Sequence, residues 1–243
     1  MATSTVTPSR PSPTHSSVWM KIAMAISGLY FVFFVLFHMY GNLKILYAGV
    51  TGYDEYAHHL RTMFEPILPY QGFLWIFRMS LILAIIVHVW SASQLWRRAK
   101  QARPVQYAAT PTVKKGVSTL AMRWGGVALL LFIVFHLLQF TVVKFNVNTA
   151  VPQSDLMING VESPGKLLIA SFQVWWLFVV YAIALLALGV HLNHGTWSAI
   201  QTLGWTNTAK SRAIAKTCAM AIAVVVVVGF LIPPFLILVG VIK

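Results

Sequence analysis

Residues 22–38 read IAMAISGLYFVFFVLFH, an unbroken apolar run closed by one histidine. A histidine inside a membrane helix is rare, and by default it faces the protein interior for a functional reason. One such residue decides little, because a lone histidine can simply hydrogen-bond a neighbouring helix. Repetition decides more. Three later apolar runs also place a histidine late: IFRMSLILAIIVH ending at His88, GGVALLLFIVFH at His136 and VVYAIALLALGVH at His191. Four runs ending alike are poorly explained as four accidents.

Composition agrees with a membrane class. Of 243 residues, 58% are hydrophobic and 9% are charged, and the mean hydropathy is +0.74. A soluble domain carries about 25% charged residues. The single cysteine, Cys218, excludes an internal disulfide framework and a cysteine-ligated cluster built from this chain alone. It sits in an apolar run and reads as an ordinary core or lipid-facing residue. The formal charge of +13 invites a nucleic-acid reading. That reading is rejected because the basic residues fall in short loops between apolar runs, the pattern of membrane orientation.

The sequence predicts an all-α membrane bundle of five transmembrane helices at about 18–40, 72–96, 123–143, 167–195 and 216–241, each near the ~20 residues a crossing needs. The fourth is overlong, so part of it is expected to project past the bilayer. In the fifth, Pro233 and Pro234 should kink or end the regular hydrogen bonding. Met1–Ser17 is rich in Ser, Thr and Pro and reads as a disordered tail, without the basic start and cleavage site of a signal peptide. The segment TGYDEYAHHLRTMFEP (51–66) reads as a short amphipathic helix on the outer surface.

Orientation follows from the lysines and arginines. Twelve lie on the amino-terminal side: Arg10, Lys21, Arg97, Arg98, Lys100, Arg103, Lys114, Lys115, Arg123, Lys210, Arg212 and Lys216. Six lie on the other side, with all five acids, Asp54, Glu55, Glu65, Asp155 and Glu162. The positive-inside rule then puts the amino terminus in the cytoplasm and the carboxyl terminus outside. The basic loop Arg97–Lys115 has two readings, an anionic-lipid contact or a docking surface for a soluble partner.

Alternating helix direction sorts the histidines by depth. His38 and His136 fall toward the outer face, His88 and His191 toward the cytoplasm. Two neutral imidazoles facing each other at one level is the arrangement a six-coordinate haem needs, and a helix bundle core can supply the site. Two levels imply two haems stacked across the membrane. His194, three residues after His191, is the rival inner ligand. Arg78, ten residues and about 15 Å outward of His88, reads either as a partner of an outer-haem propionate or as an arginine snorkelling to the interface. Arg123 could serve an inner propionate or be an ordinary positive-inside residue. Ser27, Gly28, Gly125 and Gly126 permit close approach of a flat ring and equally serve helix packing. His15, in the tail, is set aside. His58 and His59, with Tyr40, Tyr53, Tyr56 and Glu65, could exchange protons with a quinone or be merely interfacial.

These residues carry a resemblance. LFHMYGN with His38, YAHHL with His58, VHVWSASQLW with His88, RWGGVALLLFIVFH with Arg123 and His136, and VHLNHGTWSAIQTLGW with His191 resemble the dihaem cytochrome b anchor of bacterial succinate:menaquinone oxidoreductases and quinol:fumarate reductases. The resemblance spans nearly the whole chain after the tail, and it favours His191 over His194. It implies two haems b, menaquinone as substrate, and location in the bacterial plasma membrane. It also implies two partners: an iron–sulfur subunit carrying clusters, and a flavoprotein subunit with covalent FAD where succinate is oxidised. Electrons would run from the clusters to the inner haem, then the outer haem, then menaquinone. His58 would lie near the outer haem and the quinone. Rival readings are the fumarate-reducing direction, a dihaem anchor of a hydrogenase or formate dehydrogenase, and a haem-free transporter relaying protons through histidines. Against the transporter, no acid lies in any predicted span, and five spans do not divide into an inverted repeat.

Overall fold

The computed structural model describes residues 16–102, 117–158 and 160–243. His15, the tail up to it, and the basic residues Arg103, Lys114 and Lys115 lie outside the described residues. The chain is an all-α bundle. Its helices are α1 (Ser17–Thr62), α2 (Gly72–Gln101), α3 (Val117–Leu137, continued by a π-turn over Leu138–Val142), α4 (Pro164–Phe172), α5 (Trp175–Thr202) and α6 (Ala209–Leu238). Five of these, all but α4, are long and apolar enough to cross a membrane. Their outward faces present residues such as Phe33, Phe37, Leu83, Ile86, Leu131, Ile183 and Val228. That suits a hydrocarbon surround, in which all backbone polar groups must bond within the helix.

Side-chain contacts fix the relative depths. On α1 and α2, Tyr30 meets Ser80 at 2.6 Å and Phe34 packs on Phe77. Ser27 meets His88 at 3.2 Å. These pairs can form only if α1 and α2 run antiparallel. The start of α1 therefore shares a side, here called the near side, with the end of α2. On α5, Tyr181 lies far and His191 lies near.

Three features differ from the sequence expectations. First, α1 is two helices joined at Gly49, whose φ of 62° and ψ of −165° are accessible to glycine and strained for other residues. After this bend, residues 50–62 fold back along the far end of the first part. Tyr56 then lies against Gly41, so close that any Cβ there would collide, and Tyr53 donates to Asn42 Oδ1 at 3.4 Å. The expected outer surface helix is thus the returning arm of α1. Second, the expected fourth span, 167–195, is broken. The short helix α4 ends at Phe172, Val174 is extended, and the spanning helix is Trp175–Thr202, about 40 Å long at 1.5 Å per residue. The break is capped from afar: Asn148 Nδ2 donates to the Ala170 carbonyl and to Gln173 Oε1, both at 3.1 Å. Third, the helix does not end at Pro233 and Pro234: α6 continues through them to Leu238, with the two donors they lack missing from its hydrogen-bond ladder.

The far end is sealed by α4. Its Leu168, Ile169 and Phe172 are buried against Ile45, Leu177 and Ile237, and its Leu167 and Ala170 against Leu156. At its start, Asp54 from the returning arm of α1 accepts from the Ser163 hydroxyl and from the Gly165 amide at 2.8 Å. The carboxylate lies at the helix N-terminus, where unpaired N–H groups favour it. Before α4, a two-stranded hairpin, β1 (Met157–Ile158) and β2 (Val161–Glu162), pairs antiparallel with Met157 opposite Glu162. Lys144 ties it to the end of the π-turn by an ion pair to Glu162 at 2.9 Å.

Candidate functional site: two facing histidine pairs

The bundle brings the four late histidines together in two pairs. The His38 and His136 ring centroids are 5.9 Å apart with planes at 77°. Those of His88 and His191 are 6.3 Å apart with planes at 58°. Ser27 marks the near level on α1 and His38 the far level; eleven residues separate them, or about 16 Å. On α5, Tyr181 meets His136 and His191 meets His88; ten residues give about 15 Å. The two helices agree on the spacing.

Each pair spans helices that are not packed neighbours. α1 packs on α2, α5 and α6, and α5 packs on α3 and α6, but neither α1 with α3 nor α2 with α5 is a closely packed pair among the described residues. The histidines thus reach toward each other across space left between backbones. Two imidazoles on opposite sides of one metal ion, each nitrogen about 2 Å from it, have centroids about 6 Å apart, and both observed separations match. His191 Nδ1 is buried with no hydrogen-bond partner among the described residues, a state that costs free energy unless something completes it. A Cβ on Gly28 would come within 3.3 Å of His88 Cε1, so the glycine keeps the ring's flank clear. No group of three or more His, Cys, Asp or Glu gathers as a metal cluster among the described residues; axial ligation of a porphyrin iron needs only two. On these grounds the pairs fit b-type haem.

The surroundings of the two pairs differ. At the far level, His38 stacks on Phe34 at 5.3 Å and meets Phe230 at 5.6 Å. His136 meets Phe132 and Phe140 at 6.0 and 5.5 Å. Beside it, Tyr181 is buried among Phe132, Phe135, Phe140 and Phe172. Beyond the near level, toward the helix ends, the bundle opens. A cavity of about 570 Å³ lies among α1, α2 and α5, lined by Lys21, Met24, Leu95, Ser198, Gln201 and Thr202 among others. Leu95 and Ser198 each follow their helix's histidine by seven residues, so they share its face about 10 Å nearer the helix end.

The remaining nominated residues are placed as follows. His194 is exposed, and the ring that meets His88 is His191. Arg78 lies level with the stretch between Tyr30 and Phe34, about a turn short of His38. Its guanidinium covers Trp75 at 5.2 Å, Arg61 lies within electrostatic reach, and no acid pairs with it among the described residues. Arg123 is exposed and covers Trp96 at 5.6 Å. His58, Tyr40 and Glu65 are exposed and are not brought together. Tyr40 instead packs on Tyr56 at 6.5 Å, and Lys44 Nζ sits 5.2, 5.5 and 5.1 Å from the rings of Tyr40, Tyr47 and Tyr56.

Sequence reasoning passed over Tyr181, Gln139 and Lys21 as site residues, and read Ser27 only as small. A signal for two of them was present: Tyr181 lies ten residues before His191 and Ser27 eleven before His38, each offset matching the spacing of the levels. Comparison of the chain with protein-family models, curated proteins and solved structures finds no match.

Proposed function

We propose that this chain is the membrane-anchor cytochrome b of a succinate:quinone oxidoreductase, in a bacterial plasma membrane, with the near side facing the cytoplasm. The observation that carries the reading is the pairing of four histidines from four helices at two levels, with centroid separations of 5.9 and 6.3 Å. The motif resemblance supports the assignment to this enzyme class over other dihaem anchors.

In this reading His88 and His191 hold the inner haem, and His38 and His136 the outer one. Bound b-type haem supplies one-electron carriage between the cytoplasmic partner and the quinone. The chain's own residues supply the rest. The phenylalanines around His38 and His136 exclude water and lower the local dielectric. Arg78, with no acid partner among the described residues, is available to a carboxylate at the outer level. Lys21, at the near cavity, is the better-placed cation for the inner one, with Arg123 beyond it over Trp96. The exposed Arg97 and Lys100 at the end of α2 present positive charge to an iron–sulfur subunit, which in turn binds the flavoprotein subunit carrying FAD. Menaquinone is the proposed acceptor at the outer level. Of the residues nominated for it, Tyr40 adjoins the Lys44 cluster, whereas His58 and Glu65 stand apart.

The test is to tag this chain, purify the assembly in mild detergent and add succinate. Co-purification of a flavoprotein and an iron–sulfur subunit, with reduction of b-type absorbance by succinate, is expected. An assembly lacking both subunits would point to another anchor, and haem that succinate leaves oxidised, yet that fumarate reoxidises after reduction by a quinol, would point to the reverse direction.

A further inference from the structure

In each pair one imidazole meets a side-chain hydroxyl, and among the described residues the other does not. His136 Nδ1 lies 3.2 Å from the Tyr181 hydroxyl. That hydroxyl donates its only proton to Gln139 Oε1 at 2.9 Å. Gln139, fully buried in the π-turn, is oriented in turn by Nε2 donating to Ser171 Oγ at 3.3 Å. A phenol whose proton is committed can only accept from the imidazole. His136 therefore carries its proton on Nδ1 and keeps its lone pair on Nε2. At the near level, His88 Nδ1 lies 3.2 Å from Ser27 Oγ. That hydroxyl also reaches the Ala23 carbonyl at 2.8 Å and the Met24 carbonyl at 3.2 Å, and the Met24 backbone itself hydrogen-bonds His88; with carbonyls on both sides, the arrangement favours a proton on His88 Nδ1. For His38 and His191 no such hydroxyl partner is recorded among the described residues.

We infer that Tyr181, oriented by Gln139, and Ser27, oriented by its own helix backbone, are the positioning residues of the two pairs, each fixing one imidazole in the Nδ1–H form that leaves Nε2 free to bind iron. The inference rests on the haem reading above. Neither residue touches the iron; each acts through a histidine. A hydrogen bond on the far nitrogen both orients a ligand ring and raises its basicity. The two devices differ in origin. Ser27 needs only the i−4 carbonyl of any helix. Tyr181 needs three separate segments, the π-turn after α3, α4 and α5, to be in place.

The test uses the purified complex, with potentiometric titration of the two haems and low-temperature EPR of the oxidised form. Tyr181→Phe keeps the ring and removes the acceptor. It is expected to raise the midpoint potential of one haem or lower its occupancy and to shift its g values, with the other haem unchanged. Gln139→Met frees the tyrosine proton to turn toward His136 and should perturb the same haem. Ser27→Ala should perturb the other haem instead, and Ser27→Thr, which restores the hydroxyl, should return its spectrum. If wild-type complex holds two haems and both Tyr181→Phe and Gln139→Met leave potentials and g values as they were, the positioning role is overturned and the haem reading stands. If Tyr181→Phe fails to assemble, Gln139→Met carries the far-level test. Wild-type complex without haem overturns both.

Discussion

The far and near histidine pairs have nearly equal ring separations, yet they are built in opposite ways. The far pair sits among phenylalanines, under a buried helix α4, with His136 held through Tyr181 and Gln139. The near pair is held by one serine on α1, and a cavity lined in part by Lys21 lies about 10 Å beyond it, toward the helix ends. The difference shows how one pairing of imidazoles can be supported by long-range or by local structure. The far site depends on contacts between distant segments, so it should be rigid and sensitive to remote change. The near site depends on a helix face, and it should tolerate remote change and respond to charge at the cavity.

The largest expected effect comes from the ligands. His136→Ala should remove one haem and His88→Ala the other, each halving the b-type absorbance of the complex measured as pyridine haemochrome. Loss of both from either variant would mean the levels are not separable. Next comes the lock at the far end. Asp54→Ala leaves the Ser163 hydroxyl and the Gly165 amide without their acceptor and should destabilise the assembly by about 2 kcal/mol. A thermal melt in detergent should show the far haem released first. Smaller is Gly28→Ala. The helix gains about 1 kcal/mol in propensity, while the new methyl presses on His88 Cε1. The melting temperature should barely move, and only the near haem's EPR signal should shift. The smallest effect is expected of Arg123→Gln, which removes an exposed cation–π contact worth about 0.5 kcal/mol. Lys21→Gln should alter the near haem's potential more than Arg123→Gln does, because only Lys21 borders the cavity.

Much of this comparison was legible in the sequence, and the reason is geometric. Membrane helices have one rise per residue and alternate in direction, so the late position of His38, His88, His136 and His191 sorted them into levels before any packing was known. The same arithmetic that placed Arg78 ten residues from His88 would have placed Tyr181 at the far level and Ser27 at the near one. What it could not supply was rotation about the helix axis, which decides that they touch His136 and His88. The bend at Gly49 was hidden because hydropathy continues across it. The break after Phe172 was hidden for the same reason, since LLIASFQVWWLF is apolar on both sides and the cap comes from Asn148, 22 residues before Ala170. Gln139 could not be read because its role depends on a π-turn, a register shift that the local sequence does not announce.

The central claim, two axial sites at two levels, is tested most directly by counting haem per chain in the purified complex from its reduced-minus-oxidised optical spectrum. The account predicts two b-type haems per chain. An intact, quinone-reducing complex with no haem signal would contradict it, and the four facing imidazoles would then need another purpose.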